Sequence, residues 1–383
     1  MRFVREGMFF ERYKAMTNEN ELFSLLCALC EIPAPSGEED LRVRFCLDWL
    51  SDNGVDAYSD CAKNVIIPFG DTEREGITVF LAHTDTVFPD KAPLPYKEEG
   101  GKLFCPGIGD NTVHVAQLML CARQMKRESV APRHGMLLVL NSCEEGLGNL
   151  RGIKQIMNDF SGRVARVISF DGQFNSIVTR VVGSERYRVT VRTEGGHSFN
   201  AFENSNAIEK LAKIVCELYD IEVPHIGDSK TTYNVGMISG GTSVNTIAQS
   251  AEMLYEYRSD DVECIEKMRN MFFGIIQKHR DSGADISVET IGIRPCEEGV
   301  DKAELSALAE RVAKICEEVS GVSCVCTSGS TDSNIPMSMG IPSITAGGYL
   351  GGGAHTREEW AKRSSVPVGF EIVRKTVYDF TED

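Results

Sequence analysis

The sequence lacks any apolar run of the roughly 20 residues that a membrane-spanning helix needs. It also lacks a basic surplus: the formal net charge is −16 at pH 7, which makes nucleic acid and anionic membranes poor partners. The opening residues, M-R-F-V-R-E-G-M-F-F-E-R-Y-K, contain no apolar block of the kind found in signal peptides. We therefore expect a cytoplasmic protein without nucleic-acid or membrane partners, in which residues 1–16 form a loose N-terminal extension.

Cysteine pairs with metal-binding spacing are scarce as well. Cys27 and Cys30 form a C-x-x-C, but no second C-x-x-C accompanies them and they lie in a helical apolar pattern. This pattern predicts buried helix cysteines rather than half of a four-thiolate zinc site. The thirteen cysteines are an odd number, scattered through apolar segments, which indicates a reducing compartment rather than a disulfide framework.

A strand that ends in histidine organises the first half of the chain. The residues from Ile77 to Ala82 are apolar or β-branched without alternation, as in a strand covered on both faces of a parallel sheet. His83 and Asp85 follow, where the carboxyl ends of parallel strands form ligand sites. A His with a nearby carboxylate suits a metal ligand and its orienting partner. A hydrogen-bonded core His followed by a turn Asp is the alternative for this stretch alone.

Other acidic residues and a second histidine follow predicted strands or begin helices. Considered alone, each could be an ordinary helix cap or turn residue, or a member of a solvated pair of carboxylates. Together they predict that carboxylates and imidazoles converge without compensating arginines. Two zinc ions would stabilise such a cluster, and cobalt or manganese are the alternatives. The converging residues are His83, Asp110, Glu144, Glu145, Asp171 and His355.

The order of elements changes between residues 183 and 294. Patterns for strand, helix, strand, strand, helix and strand follow one another, which predicts a ferredoxin-like βαββαβ insert. The rest of the chain predicts an α/β fold with a mostly parallel sheet flanked by helices. We expect a first catalytic part at residues 1–182, the insert at 183–294, and a second catalytic part at 295–383.

Two local patterns have more ordinary interpretations. Ser36 and Glu39 have the spacing of a capping box for the helix that follows them. His114 lies one helical turn after Asp110 and is interpreted as a packed helix residue, with a further metal ligand as the alternative.

Eight short motifs resemble a known family in their types and order. They are H-T-D-T-V-F-P, G-I-G-D-N, C-E-E-G, F-D-G, G-G-H-S, Y-R-S, S-T-D-S and H-T-R-E-E. The chain from Asn18 onwards resembles the dizinc exopeptidases and deacylases, which include peptidase T, glutamate carboxypeptidase, aminoacylase and succinyl-diaminopimelate desuccinylase. After Asp110 the family often has an acidic residue or Asn, then Lys and glycines. Here Asn111 is followed by Thr112, Val113 and His114, which is a departure from that pattern.

The resemblance implies a role for each matching residue. His83 and Asp171 would bind one zinc, Glu145 and His355 the other, and Asp110 both. Asp85 would orient His83, and Glu144 would be the general base that activates a metal-bridging water. His197 of the insert would stabilise the oxyanion in the partner subunit's site. Asn245 and Arg258 would bind polar groups or a carboxylate of the substrate.

The resemblance also implies a substrate class and an assembly. An Asp at position 171 is more typical of aminopeptidases and dipeptidases, so we expect a peptidase T-like exopeptidase of small peptides that forms a homodimer through residues 183–294. The alternative is an N-acyl-amino-acid amidohydrolase or carboxypeptidase on the same scaffold. A non-catalytic, dimeric peptide-binding relative is a third possibility, but such a protein would usually have lost Glu144 or a metal ligand.

Overall fold

A computed structural model describes residues 21–383, so the expectation for residues 1–16 lies outside the described part. In chain order the helices are α1 (Glu21–Glu31), α2 (Asp40–Asp52), α3 (Val113–Arg127), α4 (Arg151–Asp159), α5 (Ala207–Tyr219), α6 (Val262–Asp281), α7 (Lys302–Ser320), α8 (Asn334–Met337) and α9 (Ser365–Asp379). The strands are β1 (Tyr58–Ser59), β2 (Val65–Phe69), β3 (Ile77–His83), β4 (Lys97–Glu99), β5 (Lys102–Phe104), β6 (Met136–Asn141), β7 (Val164–Phe170), β8 (Ser176–Val181), β9 (Gly183–Arg192), β10 (Gly196–His197), β11 (Thr231–Gly240), β12 (Thr246–Ile247), β13 (Ser250–Ser259), β14 (Asp285–Arg294), β15 (Val325–Gly329), β16 (Ser343–Ala346), β17 (Gly351–Gly352) and β18 (Trp360–Lys362).

The largest sheet has eight strands in the order β1-β2-β6-β3-β7-β16-β8-β15. Its middle strands β6, β3, β7 and β16 are parallel, whereas β2 joins β6, and β8 joins β16, in antiparallel pairs. The parallel strands place their carboxyl ends at one edge, which is where α/β proteins build ligand sites.

Strand β3 is buried along its whole length, and its two faces contact different apolar clusters. Phe80 and Ala82 pack into a cluster that includes residues of α1, α2, α3 and α9. Val79 and Leu81 pack into a second cluster with residues of α4. The prediction of a strand covered on both faces is confirmed, and this packing fixes where His83 emerges.

The insert has its own sheet, with strand order β11-β13-β9-β14 and antiparallel pairing throughout. Helices α5 and α6 cover it, and one apolar cluster joins the helices to the sheet. The predicted α/β fold with a ferredoxin-like insert is therefore confirmed.

Two further observations concern the environment of the chain. Within residues 21–383, no helix combines the length and apolar character that crossing a membrane would require. In the same part of the chain no disulfide joins the cysteines. Cys30 is buried on α1 as predicted, whereas Cys27 is only partly buried.

Candidate active site

The candidate site lies at the carboxyl edge of the large sheet. His83 is the last residue of β3, Glu144 and Glu145 follow β6, and Asp171 directly follows β7. His83 and both glutamates are buried. Burying groups that can carry a charge costs free energy unless they are paired or bind a cation. Because β3, β6 and β7 are parallel neighbours, their carboxyl ends lie at the same edge of the sheet and bring these residues together.

Asp110 lies between the two histidines. Its Oδ1 is 3.0 Å from Nε2 of His83, and its Oδ2 is 3.0 Å from Nε2 of His355. Asp171 Oδ2 is 3.9 Å from the same His83 nitrogen, and Glu145 Oε1 is 3.3 Å from the same His355 nitrogen. Each oxygen of Asp110 thus faces a different imidazole and a different second carboxylate.

These side chains form two triads that suit divalent metal ions. His83, Asp110 and Asp171 make one, and Asp110, Glu145 and His355 make the other, with the ligand atoms of each within 4.8 Å of one another. Imidazole nitrogens and carboxylate oxygens are typical ligands of zinc, manganese and related ions. The donor set therefore fits two ions that share Asp110. Glu144 groups with His83 and Glu145 but belongs to neither triad.

The electrostatics of the cluster also favour cations. Burial, together with the Asp110 carboxylate, raises the pKa of Asp171 well above its ordinary value. Burial raises the pKa of Glu145 to about 7, and the carboxylates of Asp110 and Glu145 raise the pKa of His355 to about 10. Bound cations would supply the positive charge that the cluster otherwise obtains from protons.

Asp85 organises the backbone behind the cluster. Its Oδ1 accepts the N–H of Glu144 and its Oδ2 the N–H of Glu145, both at 2.9 Å. The same carboxylate lies 3.4 Å from Nδ1 of His83, and it accepts the hydroxyl of Ser36. The capping-box prediction for Ser36 is wrong: α2 begins without a side-chain cap, and Ser36 instead supports Asp85.

Glu359 supports Asp110 in a way that the sequence did not reveal. Its buried carboxylate accepts three backbone N–H groups, those of Gly107 at 2.7 Å, Gly109 at 2.8 Å and Asp110 at 2.9 Å. The loop that carries Asp110 is thereby attached to the segment that carries His355. The H-T-R-E-E motif contained this residue, but nothing in its spacing indicated a partner so far away in the chain.

We predict that Glu359→Ala destabilises the fold, because three buried N–H donors lose their acceptor. Each unsatisfied donor typically costs about 1–3 kcal/mol, so we expect the free energy of unfolding to fall by about 3 kcal/mol or more. Urea denaturation would measure it. The matched control is Glu358→Ala at the exposed neighbouring position. Equal small effects at both positions would show that Glu359 does not anchor the loop.

Arg294, the last residue of β14, corrects the expectation that no arginine compensates the carboxylates. Its Nη1 donates to Oε1 of Glu144 at 2.9 Å, and its Nη2 donates to the main-chain oxygen of Glu144. Both side chains are buried. A lone arginine at the end of a strand pattern gave no signal of this contact.

Three predicted substrate-contacting residues lie on the insert, and the structure does not bring them into the metal triads. His197 is exposed on β10, which pairs with β12, and its Nδ1 accepts the N–H of Phe199 at 3.3 Å. The exposed Asn245 is nearby, because its main-chain oxygen accepts the N–H of Ser198. Arg258 donates to both carboxylate oxygens of Glu256, at 3.0 and 3.1 Å, so its guanidinium already has an anionic partner.

His114 is buried on α3 and packs as predicted. Its Nε2 accepts the N–H of Gly348 at 2.8 Å, and its ring contacts Tyr349 edge-on. Burial lowers the pKa of His114 to about 3, so the ring stays neutral. Within the described residues His114 belongs to none of the candidate metal-binding groups, so the alternative of a further metal ligand has no support.

Comparison with known proteins gives one family match and several relatives. The family described as "Peptidase family M20/M25/M40" matches residues 79–379. The uncharacterized protein YqjE of Bacillus subtilis is 23% identical over 360 residues, covering 90% of this chain and 94% of the relative. A peptidase M20 domain-containing protein of Schizosaccharomyces pombe is 27% identical over 265 residues, covering 66% of this chain and 64% of that protein.

Solved structures share the fold at low sequence identity. A tripeptidase from Staphylococcus aureus superposes with a TM-score of 0.75 at 20% identity, covering 96% of this chain and 100% of that one. An M20 family metallo-carboxypeptidase from Sulfolobus solfataricus gives 0.73 at 15% identity, covering 95% and 100%. A dinuclear metal-binding peptidase of the M20 family from Bacillus subtilis gives 0.64 at 15% identity, covering 93% and 96%.

Proposed function

This chain belongs to peptidase family M20/M25/M40, and on that premise we propose that it is a dizinc exopeptidase of small peptides, acting as an aminopeptidase or tripeptidase. That it is a hydrolase of peptide or amide bonds follows from the family itself. The observation that carries the finer proposal is the position of Asp110 between two triads of metal-binding residues, with Glu144 beside them.

Each residue of the cluster has a distinct part in the proposal. His83 and Asp171 would hold one ion, Glu145 and His355 the other, and Asp110 both. When bound, the two ions would act as Lewis acids and make water nucleophilic near neutral pH. Glu144 would take a proton from the attacking water and deliver it to the leaving amine. Asp85 holds the backbone of Glu144 and Glu145, so it supports both the base and one ligand.

A substrate panel tests the proposal directly. Purified protein would be assayed on free-amine and N-blocked di- and tripeptides, with zinc, cobalt or manganese added. We expect metal-dependent cleavage of the free-amine peptides and little cleavage of the N-blocked ones. Hydrolysis of the N-blocked compounds alone would overturn the aminopeptidase assignment.

The panel also decides the alternative, an N-acyl-amino-acid amidohydrolase or carboxypeptidase. What supports it is that this fold occurs in the Sulfolobus metallo-carboxypeptidase as well as in the tripeptidase, so the fold itself does not separate the two activities. Such an enzyme would cleave N-acyl amino acids or N-blocked peptides with a free carboxyl end. A purely peptide-binding relative would cleave no member of the panel.

We further propose a cytoplasmic homodimer that assembles through residues 183–294. Strand β11 is the edge of the insert sheet, and its residues Met237 and Ile238 are exposed. An exposed edge strand with apolar side chains is a surface that natural proteins usually cover. Sedimentation equilibrium of the full chain would measure the assembly, and a monomer at micromolar concentration would contradict it.

Metal binding should release protons. Because the pKa of His355 is raised to about 10 in the metal-free cluster, this ligand is protonated at neutral pH and must lose its proton to bind an ion. Affinity should therefore rise as the pH increases towards 10. Calorimetric titration with zinc in buffers of different ionisation enthalpy would show the release as buffer-dependent heat, and His355→Gln would release fewer protons. Identical heats in all buffers would contradict this prediction.

A further inference from the structure

We propose that Arg294 is a positioning residue that fixes the proposed base Glu144 and makes its placement depend on the insert. Arg294 is the final residue of β14, where the chain leaves the insert sheet. Glu144 lies in the segment after β6 of the large sheet. The pair therefore joins the end of one sheet to the reactive edge of the other. The inference rests on the proposed function, in which Glu144 transfers protons.

The contacts of Arg294 occupy both terminal nitrogens of its guanidinium, and Nε has no hydrogen-bond partner within residues 21–383. Nη1 donates to Oε1 of Glu144 at 2.9 Å and also lies 3.3 Å from both Ser330 oxygens, and Nη2 donates to the main-chain oxygen of Glu144. The guanidinium thus binds both the side chain and the backbone of the same residue. One hydrogen bond to Oε1 and one to the main-chain oxygen fix the position of Oε1 relative to the backbone of Glu144, whereas a single charge nearby would only attract the carboxylate.

Burial makes the pair sensitive to the loss of either partner. The side chain of Arg294 is 5% exposed and that of Glu144 is 7% exposed. Removing one member of a buried ion pair leaves the other charge without a partner. That side chain then either changes its position or lowers the stability of the protein. Without Arg294 the carboxylate of Glu144 would lose its only described arginine partner and would reorient within a crowded anionic cluster.

Two further contacts attach the segment after Glu144 to the insert. Arg186 of β9 donates from Nη1 to the main-chain oxygen of Gly146 at 2.6 Å. The side-chain oxygen of Asn149 accepts the N–H of Ile293, the residue before Arg294, at 2.9 Å. Residues 144–149 are therefore held by β9 and β14 at three points. A rotation of the insert relative to the large sheet would displace Glu144, so the base is correctly placed only for one position of the insert.

Kinetics of Arg294 variants provide the first test. For Arg294→Ala we expect kcat to fall about 10²-fold, the size of effect that misplacing a catalytic group typically produces. KM and metal content should stay near wild type, because Arg294 contacts neither the metal triads nor, in this proposal, the substrate. Added guanidinium chloride at low concentration should restore part of the lost kcat in a saturable manner. Arg294→Lys keeps the charge but replaces the two terminal nitrogens of the planar guanidinium by one, so it cannot reproduce both contacts in the same geometry and should lose roughly tenfold.

Arg188→Ala is the matched control. Arg188 also lies on the insert sheet, but its partner is Glu289, at 2.7 Å, and it should leave kcat unchanged. A raised KM with unchanged kcat in both Arg294 variants would show that Arg294 binds substrate instead, and would overturn the proposal. Wild-type kinetics in Arg294→Lys, or no recovery with guanidinium in a folded Arg294→Ala, would overturn it as well.

A double-mutant cycle tests the pair without any assay of catalysis. Thermal midpoints of metal-free wild type, Arg294→Met, Glu144→Gln and the double variant would be compared. We expect each single substitution to lower the thermal midpoint. The double variant should lose much less than the sum of the two single losses, because neither buried charge is then left without its partner. Additive losses would overturn the coupling. If the cycle is non-additive while the wild-type protein cleaves no peptide, the proposed function fails but the link between Arg294 and Glu144 stands.

Discussion

Replacing Glu144 by Gln should abolish turnover while the protein retains its metal ions. Of the two adjacent glutamates, Glu145 shares a triad with Asp110 and His355, whereas Glu144 groups only with His83 and Glu145. In the proposed function Glu144 is therefore the residue that transfers protons. General acid–base catalysis typically contributes about 10²–10⁴-fold, which sets the expected loss in kcat. Steady-state kinetics and metal analysis of the same preparation would measure both quantities.

The matched variant is Glu145→Gln, which should instead weaken metal binding. Loss of metal in Glu144→Gln together with full retention in Glu145→Gln would reverse the two assignments. Because Glu144→Gln leaves the buried Arg294 without its anion, circular dichroism should establish that the variant is folded before its kinetics are interpreted.

His197 should act in the active site of the partner subunit. It is exposed on the insert, and its described hydrogen bond is local, to the N–H of Phe199. An imidazole donor placed near the developing oxyanion typically contributes about 10²–10³ in kcat. Chains with Glu144→Ala and chains with His197→Ala should therefore each be nearly inactive alone.

Mixing the two inactive variants distinguishes action between subunits from action within one. In a refolded mixed dimer, the site with an intact Glu144 receives the intact His197 of its partner, so one of two sites should recover. The control is a mixture of Glu144→Ala with Glu144→Gln, in which no site has a base. Mixed dimers that form without recovering activity would show that His197 acts in its own chain or has no catalytic part.

The large sheet was predictable wherever its strands are buried on both faces. Strand β7 (Val164–Phe170) is an example, because a short, mostly apolar run followed by Asp-Gly is typical of a buried strand that ends in a turn. Strands β8 and β15 were missed. Both carry partly or fully exposed residues, and β15, V-C-T-S-G, lies at the edge of the sheet, so its pairing depends on a neighbour rather than on its own pattern.

The residues of the candidate site also differ in whether a local sequence pattern indicates them. The convergence of the candidate metal-binding residues was predicted because each of them follows a recognisable strand or lies in a recognisable motif. Arg294, Glu359 and Ser36 were missed because their roles consist of contacts with distant segments. Arg294 and Glu144 are 150 positions apart, and Glu359 and Gly107 are 252 apart. A single sequence carries no local signal for such pairs, since an isolated Arg, Glu or Ser is usually a surface residue or a cap.

Strand β16 lies between β7 and β8 inside the large sheet, although the whole insert separates it from β7 along the chain. It pairs with β7 on one side and β8 on the other, and His355 and Glu359 follow it. On the ribosome, a nascent chain that ends before residue 343 would leave β7 and β8 without their shared neighbour β16. Its cluster of candidate metal ligands would also lack His355. We therefore expect such a chain to depend on chaperones that shield exposed strand edges. It would also be unable to cleave peptides, so the enzyme would gain its activity only after the segment with His355 and Glu359 has been synthesised.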